Sequence, residues 1–300
     1  MNKDLVFIVS GGRTGTQFFG DRLKDIIDDC WSEHEPDMVQ GLSILTLNRI
    51  IRFGVWHMVI GRVLGRSGIR VVGRRYRSGK INDKQLYKKI RAMREDYHKQ
   101  HEEHLIVESY YVWWLLVNQI QVVWPNAKII CVIRDPRTWI NSWLKHQQGR
   151  RSETLKENFL SANVTPELIG DKDWIEPWKD MSQIAKLAWE WKTIYTTLYE
   201  ASERSELTSV FRFEDVFSNN TFMREVLHFV SHHENRSYNV NESILLTFTS
   251  DRINASKKDG SSWESWSDED ARIVEELCGP LMKIYNYGDE PEWLNKIKKA

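Results

Sequence analysis

The sequence predicts an α/β fold, a central parallel sheet flanked by helices, and three observations predict it. Short apolar runs rich in β-branched residues recur along the 300 residues, each of strand length. Segments of helical periodicity separate them, as parallel strands require. The first run turns through Gly11-Gly12-Arg13-Thr14-Gly15-Thr16 directly into a helix pattern.

Taken in order, "LVFIV" (5–9) is the first strand. "QFFGDRLKDII" (17–27) is the first helix, because Phe18, Phe19, Leu23, Ile26 and Ile27 share one face at helical spacing. "CWSEHEPD" (30–37) puts Glu33, His34 and Glu35 at the end of a second strand, and Pro36 biases Glu35 toward extended backbone. The apolar stretch "LSILTLNRIIRFGVWHMVIGRVLG" (42–65) is interrupted by Arg49, Arg52, His57 and Arg62, too often for a bilayer span. It reads as an amphipathic helical hairpin over the core. A lid, or a surface touching an apolar acceptor or a membrane, is the sharper alternative. Residues 75–104 are polar and helix-prone, while "LIV" (105–107) and "KIICVI" (128–133) continue the strands. The segment 146–182 carries Gly149, Pro166, Gly170 and Pro177 and reads as irregular. A helix at "QIAKLAWEWKTIYTTLYEA" (183–201), a strand at "SVFRF" (209–213) and a helix at "DEDARIVEELCGPLMKIYN" (268–286) complete the pattern. No repeat or low-complexity linker divides the chain, so one domain over 1–300 is expected, with insertions at about 40–100 and 146–182.

Lys+Arg and Asp+Glu balance at 42 each, which argues against a protein that coats nucleic acid and makes any anion site local. Cys30, Cys131 and Cys278 form no paired spacing and read as reduced structural thiols. The first strand begins within a few residues of Met1, so neither a signal peptide nor a transmembrane segment is expected, and the compartment expected is cytoplasmic.

The glycine-threonine turn gathers backbone N–H groups at a helix start, where the dipole adds positive potential. Glycines let that backbone curl around an oxyanion, Arg13 adds a forked cation, and Thr14 and Thr16 add hydroxyls. Phosphate or sulfate suits such a turn. The nucleotide pattern ending Gly-Lys-Ser/Thr is not met, since Thr16 follows Gly15. Glycine spacing also differs from the dinucleotide fingerprint, yet Glu33 or Glu35 lies where an acid would clasp a ribose, so a dinucleotide binder stays open on this segment alone. In "KIICVIRDPRTWINSWLKHQ" (128–147), Arg134 falls at a strand tip and Ser142 eight residues later, placed to clamp a second phosphate.

With those residues in view, the chain resembles the sulfotransferase superfamily. "SGGRTGTQF" looks like that family's 5′-phosphosulfate loop, from Gly11 through Gln17, and Arg134 with Ser142 matches its 3′-phosphate element in spacing. "FRFEDV" (211–216) and the tail "SKKDGSSWESWSDEDARIVEELCGPLMKIYNYG" (256–288) are similar to two further family segments. The family carries Lys in the first loop in many members and Arg in others. In the tail, Lys257, Lys258 and Gly260 only approximate the usual Arg-Lys-Gly.

The resemblance implies a P-loop-like fold that takes 3′-phosphoadenosine 5′-phosphosulfate (PAPS) as donor and leaves adenosine 3′,5′-bisphosphate, with no metal. It implies cofactor contacts from Gly11, Gly12, Arg13, Thr14, Gly15, Thr16, Gln17, Arg134, Ser142, Lys257, Lys258 and Gly260. Arg13 would stabilise the leaving phosphate, and the base would be Glu35, then Glu33, then His34, with Glu108 of "HLIVESYYVWW" a second candidate. Trp139, Trp143, Trp174, Trp178, Trp189 and Trp191 read mostly as core, but aromatic faces suit sugars. A carbohydrate or glycolipid acceptor is therefore preferred to a phenol or peptide tyrosine. A catalytically silent nucleotide-binding protein of the same fold, or a kinase, are the alternatives.

Overall fold

The structure is a computed structural model that describes residues 3–38, 44–64, 66–148, 164–218, 220–245 and 262–299. Five strands form one parallel sheet: β1 (Asp4–Ser10), β2 (Cys30–His34), β3 (Leu105–Ser109), β4 (Lys128–Ile133) and β5 (Thr208–Arg212), in the order β2-β3-β1-β4-β5. Register pairs Val6 with Val107 on one side and Ile8 with Ile130 on the other. Both faces are covered, which is why the strands read as continuous apolar runs rather than alternating ones.

On one face, Val6, Ile8, Val107 and Val132 pack against α1 (Thr16–Ile26) and a later helix over 220–231. Phe19, Leu23 and Ile26 of α1 are fully buried, and burial of such side chains stabilises by about 1.5–3 kcal/mol each. Gly20 lets α1 close on β2, since a Cβ there would overlap the His34 backbone. On the other face, Phe7, Val9, Ile106 and Cys131 meet residues of the long helices over 83–99, 183–204 and 268–284.

The chain passes from β1 out to β2, back through β3, and then across to β4 on the far side of β1. Strand order thus reverses beside β1, where the carboxyl ends of β1, β3 and β4 lie side by side, the place where open α/β sheets bind ligands. Two local expectations are corrected. The stretch 42–65 does hold two helical pieces, α2 (Ile44–Val55) broken at Gly54 and a π turn over 56–60, but its apolar side faces away from the core. Glu35 is not extended: its φ is 49°, in the left-handed region.

Candidate active site

β1 delivers the chain to a turn in which Gly12 (φ 74°), Arg13 (φ 58°) and Gly15 (φ 72°) all adopt left-handed backbone. A Cβ at Gly15 would collide with the Phe217 ring, and one at Gly12 would come within 3.1 Å of Trp143 Cζ2, so both places require glycine. Neighbours fix the turn from outside. Gly11 N–H donates to Tyr195 Oη (3.1 Å), Gly12 N–H to Ser10 Oγ (3.0 Å), and Trp139 Nε1 donates to Gly12 O (2.9 Å). The Thr14 hydroxyl is fully buried and has no hydrogen-bond partner among the described residues. An orphaned buried hydroxyl inside a curled turn at a helix start is the signature of a cradle shaped for an oxyanion.

The second half of the site abuts the first. Arg134, at the tip of β4, donates from Nη1 to Arg13 O (2.8 Å) and from Nε to Thr138 Oγ1 (3.0 Å). Arg13 Nε in turn donates to Ser142 Oγ (3.2 Å), so Arg13, Arg134 and Ser142 share one crevice. Pro136 starts the helix that carries Ser142, α3 (Pro136–Gln148). Trp191 Nε1 donates to Arg134 O (2.9 Å). The tryptophans expected to be core or sugar platforms thus divide: Trp139, Trp189 and Trp191 are fully buried, and two of them brace loop carbonyls. Trp143 also flanks Gly12, with a buried indole N–H that finds no partner among the described residues. Glu214 of "FRFEDV" accepts from Asp135 N–H (3.1 Å) and from Tyr287 Oη (2.6 Å), which ties the C-terminal tail to the Arg134 loop.

The acidic candidates separate by their partners. Glu33 accepts from Arg52 Nη1 (2.5 Å) and Tyr97 Oη (3.0 Å). Glu108 is fully buried, gripped by Arg94 through Nε (2.8 Å) and Nη2 (2.8 Å), and it also accepts from Trp113 Nε1 (2.8 Å). Burial pushes the Glu108 carboxyl up and the Arg94 charge opposes it. Asp37, missed in the sequence, is equally buried; burial works against its ionisation, yet Arg94 and the His57 bond (2.8 Å) hold it below the usual carboxylate range. His34 lies 3.9 Å from Glu35, and burial lowers its imidazole.

Glu35 borders that network, since its charge and that of Asp37 both act on Arg70. It lies close enough to Arg70, Tyr110 and Tyr111 to act on each electrostatically. Tyr111, bonded to Arg70, places its ring 3.7 Å from where a Gly12 Cβ would be. Glu35 and the loop thus both neighbour Tyr111. Arg70 and Tyr111 escaped the sequence reading because nothing local marks them; only the fold brings position 70 to position 111. Lys257, Lys258 and Gly260 lie outside the described residues.

Comparison with known proteins identifies the family. Residues 3–285 match the family described as "Sulfotransferase domain". Among solved structures, the chain is similar to a sulfotransferase from Alicyclobacillus acidocaldarius, at 15% identity over 97% of this chain and 98% of that one, with a TM-score of 0.47. No curated protein matches it significantly. Because the family match spans nearly the whole length, from the first strand through the last long helix, the chain belongs to the sulfotransferase domain family.

Proposed function

We propose that this protein transfers a sulfuryl group from PAPS to an acceptor hydroxyl or amine, with a carbohydrate or glycolipid the favoured acceptor. The observation that carries the reading is the single crevice in which the 11–16 turn, Arg134 and Ser142 touch one another. Two anion sites that adjoin suit one doubly phosphorylated adenosine, whereas the Lys-Ser/Thr pair a Mg²⁺–nucleotide site needs is missing from the turn.

In this reading Gly11–Gln17 hold the 5′ end and Arg134 and Ser142 the 3′-phosphate, with Lys257, Lys258 and Gly260 as further contacts from the tail. Bound PAPS supplies an activated sulfuryl group whose departure builds charge on the 5′-phosphate. Arg13, the first-turn N–H groups and the Thr14 hydroxyl sit where that charge grows, and they stabilise it without reorganising. Glu35 takes the proton from the acceptor. Glu35 is the base favoured here because it acts on Tyr111, whose ring borders the Gly12 end of the turn. Asp37 anchors the turn that presents it, since Met38 N–H closes on Glu35 O (3.0 Å) while Asp37 is pinned beneath. The acceptor side is built by the residues of about 40–100 and 146–182, within a single domain over 1–300.

A thermal-shift comparison tests the reading. Adenosine 3′,5′-bisphosphate should raise the melting temperature well above the shift from adenosine 5′-monophosphate, because a ligand that binds only the native state stabilises it. Arg134→Ala should remove most of that preference. Equal shifts from the two nucleotides would overturn the assignment, and transfer from labelled PAPS to crude glycans and lipids then tests the chemistry.

A further inference from the structure

We propose that the face formed by residues 44–64 docks on an anionic lipid bilayer. The segment is amphipathic in the inverted sense. Ile44 (77% exposed), Leu47, Ile51 (82%), Val55, Val59 and Val63 (76%) point to solvent, while Thr46, Arg49 and His57 are buried. Exposed apolar residues normally occur singly, and a contiguous stripe marks an interaction surface. Trp56, about half exposed, sits within the stripe, as aromatic residues do at membrane interfaces.

The inverted orientation is fixed by the inner face. Arg49 donates to Met38 O (2.7 Å), Arg52 pairs with Glu33 (2.5 Å) and His57 with Asp37 (2.8 Å). Rolling the segment to bury its apolar side would break all three and leave the buried Asp37 with Arg94 but without His57 and Arg62. The exposed stripe is thus the stable arrangement of the segment.

Charge identifies the partner. Residues 44–91 hold thirteen Lys and Arg against one acid, Asp83, in a chain whose charges balance overall. Arg66, Lys80, Lys84, Lys88 and Arg91 are exposed. Lys89 Nζ donates to Arg66 O (3.1 Å), which brings cations of the following helix to the end of the stripe. A second copy of this chain would bring the exposed Arg66, Lys80, Lys84, Lys88 and Arg91 of both copies near one another, which like-charge repulsion disfavours. An anionic bilayer accepts both features, the apolar residues entering the acyl boundary and the cations meeting headgroups. Among the described residues no helix is long and apolar enough to cross a membrane, so the contact lies in the interface plane. Because the same segment grips Glu33 and Asp37 at the carboxyl end of β2, docking would bring the Glu35 side of the crevice toward the lipid surface. The proposal does not rest on the donor or acceptor reading.

Co-sedimentation of the full chain with vesicles decides it. Phosphatidylglycerol–phosphatidylcholine vesicles should pellet the protein, with binding down about tenfold or more on pure phosphatidylcholine or at high salt. Ile51→Glu with Val63→Glu should abolish pelleting, and Lys84→Glu with Lys88→Glu should weaken it. All four positions are exposed, and unchanged melting curves establish that the variants fold. No pelleting with anionic vesicles, or unchanged pelleting of the folded Ile51→Glu/Val63→Glu variant, would overturn the proposal. So would a vesicle-free dimer that Ile51→Glu dissolves, because the stripe would then be an interface between copies.

Discussion

Glu35 holds a left-handed φ of 49° immediately before Pro36, a combination that strains the backbone and persists only where the surroundings impose it. Here the imposing groups are Ser109 O, which accepts from Glu35 N–H (3.0 Å), and the pinned Asp37 two residues on. The carboxylate so held is mostly buried and acts on Tyr111, whose ring borders Gly12. Glu35→Gln should keep the shape, lower kcat by about 10²- to 10⁴-fold, and leave the adenosine 3′,5′-bisphosphate thermal shift intact; near-normal turnover would move the base elsewhere. Thr14 makes an opposite kind of test. Its hydroxyl is buried without a partner, a state that costs about 1–3 kcal/mol. Thr14→Val should therefore raise the melting temperature of the ligand-free protein and shrink the nucleotide shift, and a variant that loses stability with its shift unchanged would contradict the cradle. The contact between the turn and Arg134 could be anticipated because each belongs to a short local pattern at a strand end. Tyr111, Arg70, Tyr195 and Asp37 were not legible, since their roles come from contacts between positions far apart in sequence.

Elements were legible where burial made the strand runs continuous: the runs at 5–9, 105–107 and 128–133 lie in the sheet, as does 209–213 up to Arg212, with Phe213 opening the next helix. Periodicity also found α1, but it could not say which side of 44–64 turns inward. Period reports that a helix is two-sided; the partner surface decides which side is buried, and here that surface is ionic. The helix over 83–99 makes the same point from within. Its His98 is fully buried among Phe7, Tyr97 and Trp124, and neither ring nitrogen has a partner. Burial, aided by the Arg94 charge, lowers its imidazole from 6.5 to about 3. The folded value lies below the unfolded one, so between them the unfolded chain binds a proton that the native state refuses. The stability His98 allows is complete above about pH 6.5 and falls as pH drops toward 3. His98→Phe should remove that loss, narrowing the difference in unfolding free energy between pH 6.5 and 5 by about 2 kcal/mol. Parallel pH profiles from denaturant titrations of variant and parent would refute it.

Across the whole molecule, one buried ionic cluster joins the parts that the crevice needs. Arg94 spans Glu108 of β3 and Asp37 beyond β2, and Asp37 continues to His57 and to Arg62 (3.3 Å) of the inverted segment. The cluster therefore couples the sheet, the helix over 83–99, the turn that presents Glu35 and the exposed face beyond it. A buried charge pair is seldom a net gain over apolar packing, but removing one partner strands the others and costs about 3–5 kcal/mol. Arg94→Leu should lower stability by that order, and Arg94→Leu combined with Asp37→Asn and Glu108→Gln should recover much of it, because no uncompensated carboxylate is left. Recovered stability need not restore turnover. With Asp37 no longer held by charge, the strained Glu35 turn loses its anchor, so the triple variant should fold and show an adenosine 3′,5′-bisphosphate thermal shift close to that of the parent while kcat stays low. Full activity in that folded variant would mean that the cluster serves stability alone and that Glu35 is positioned by its immediate neighbours.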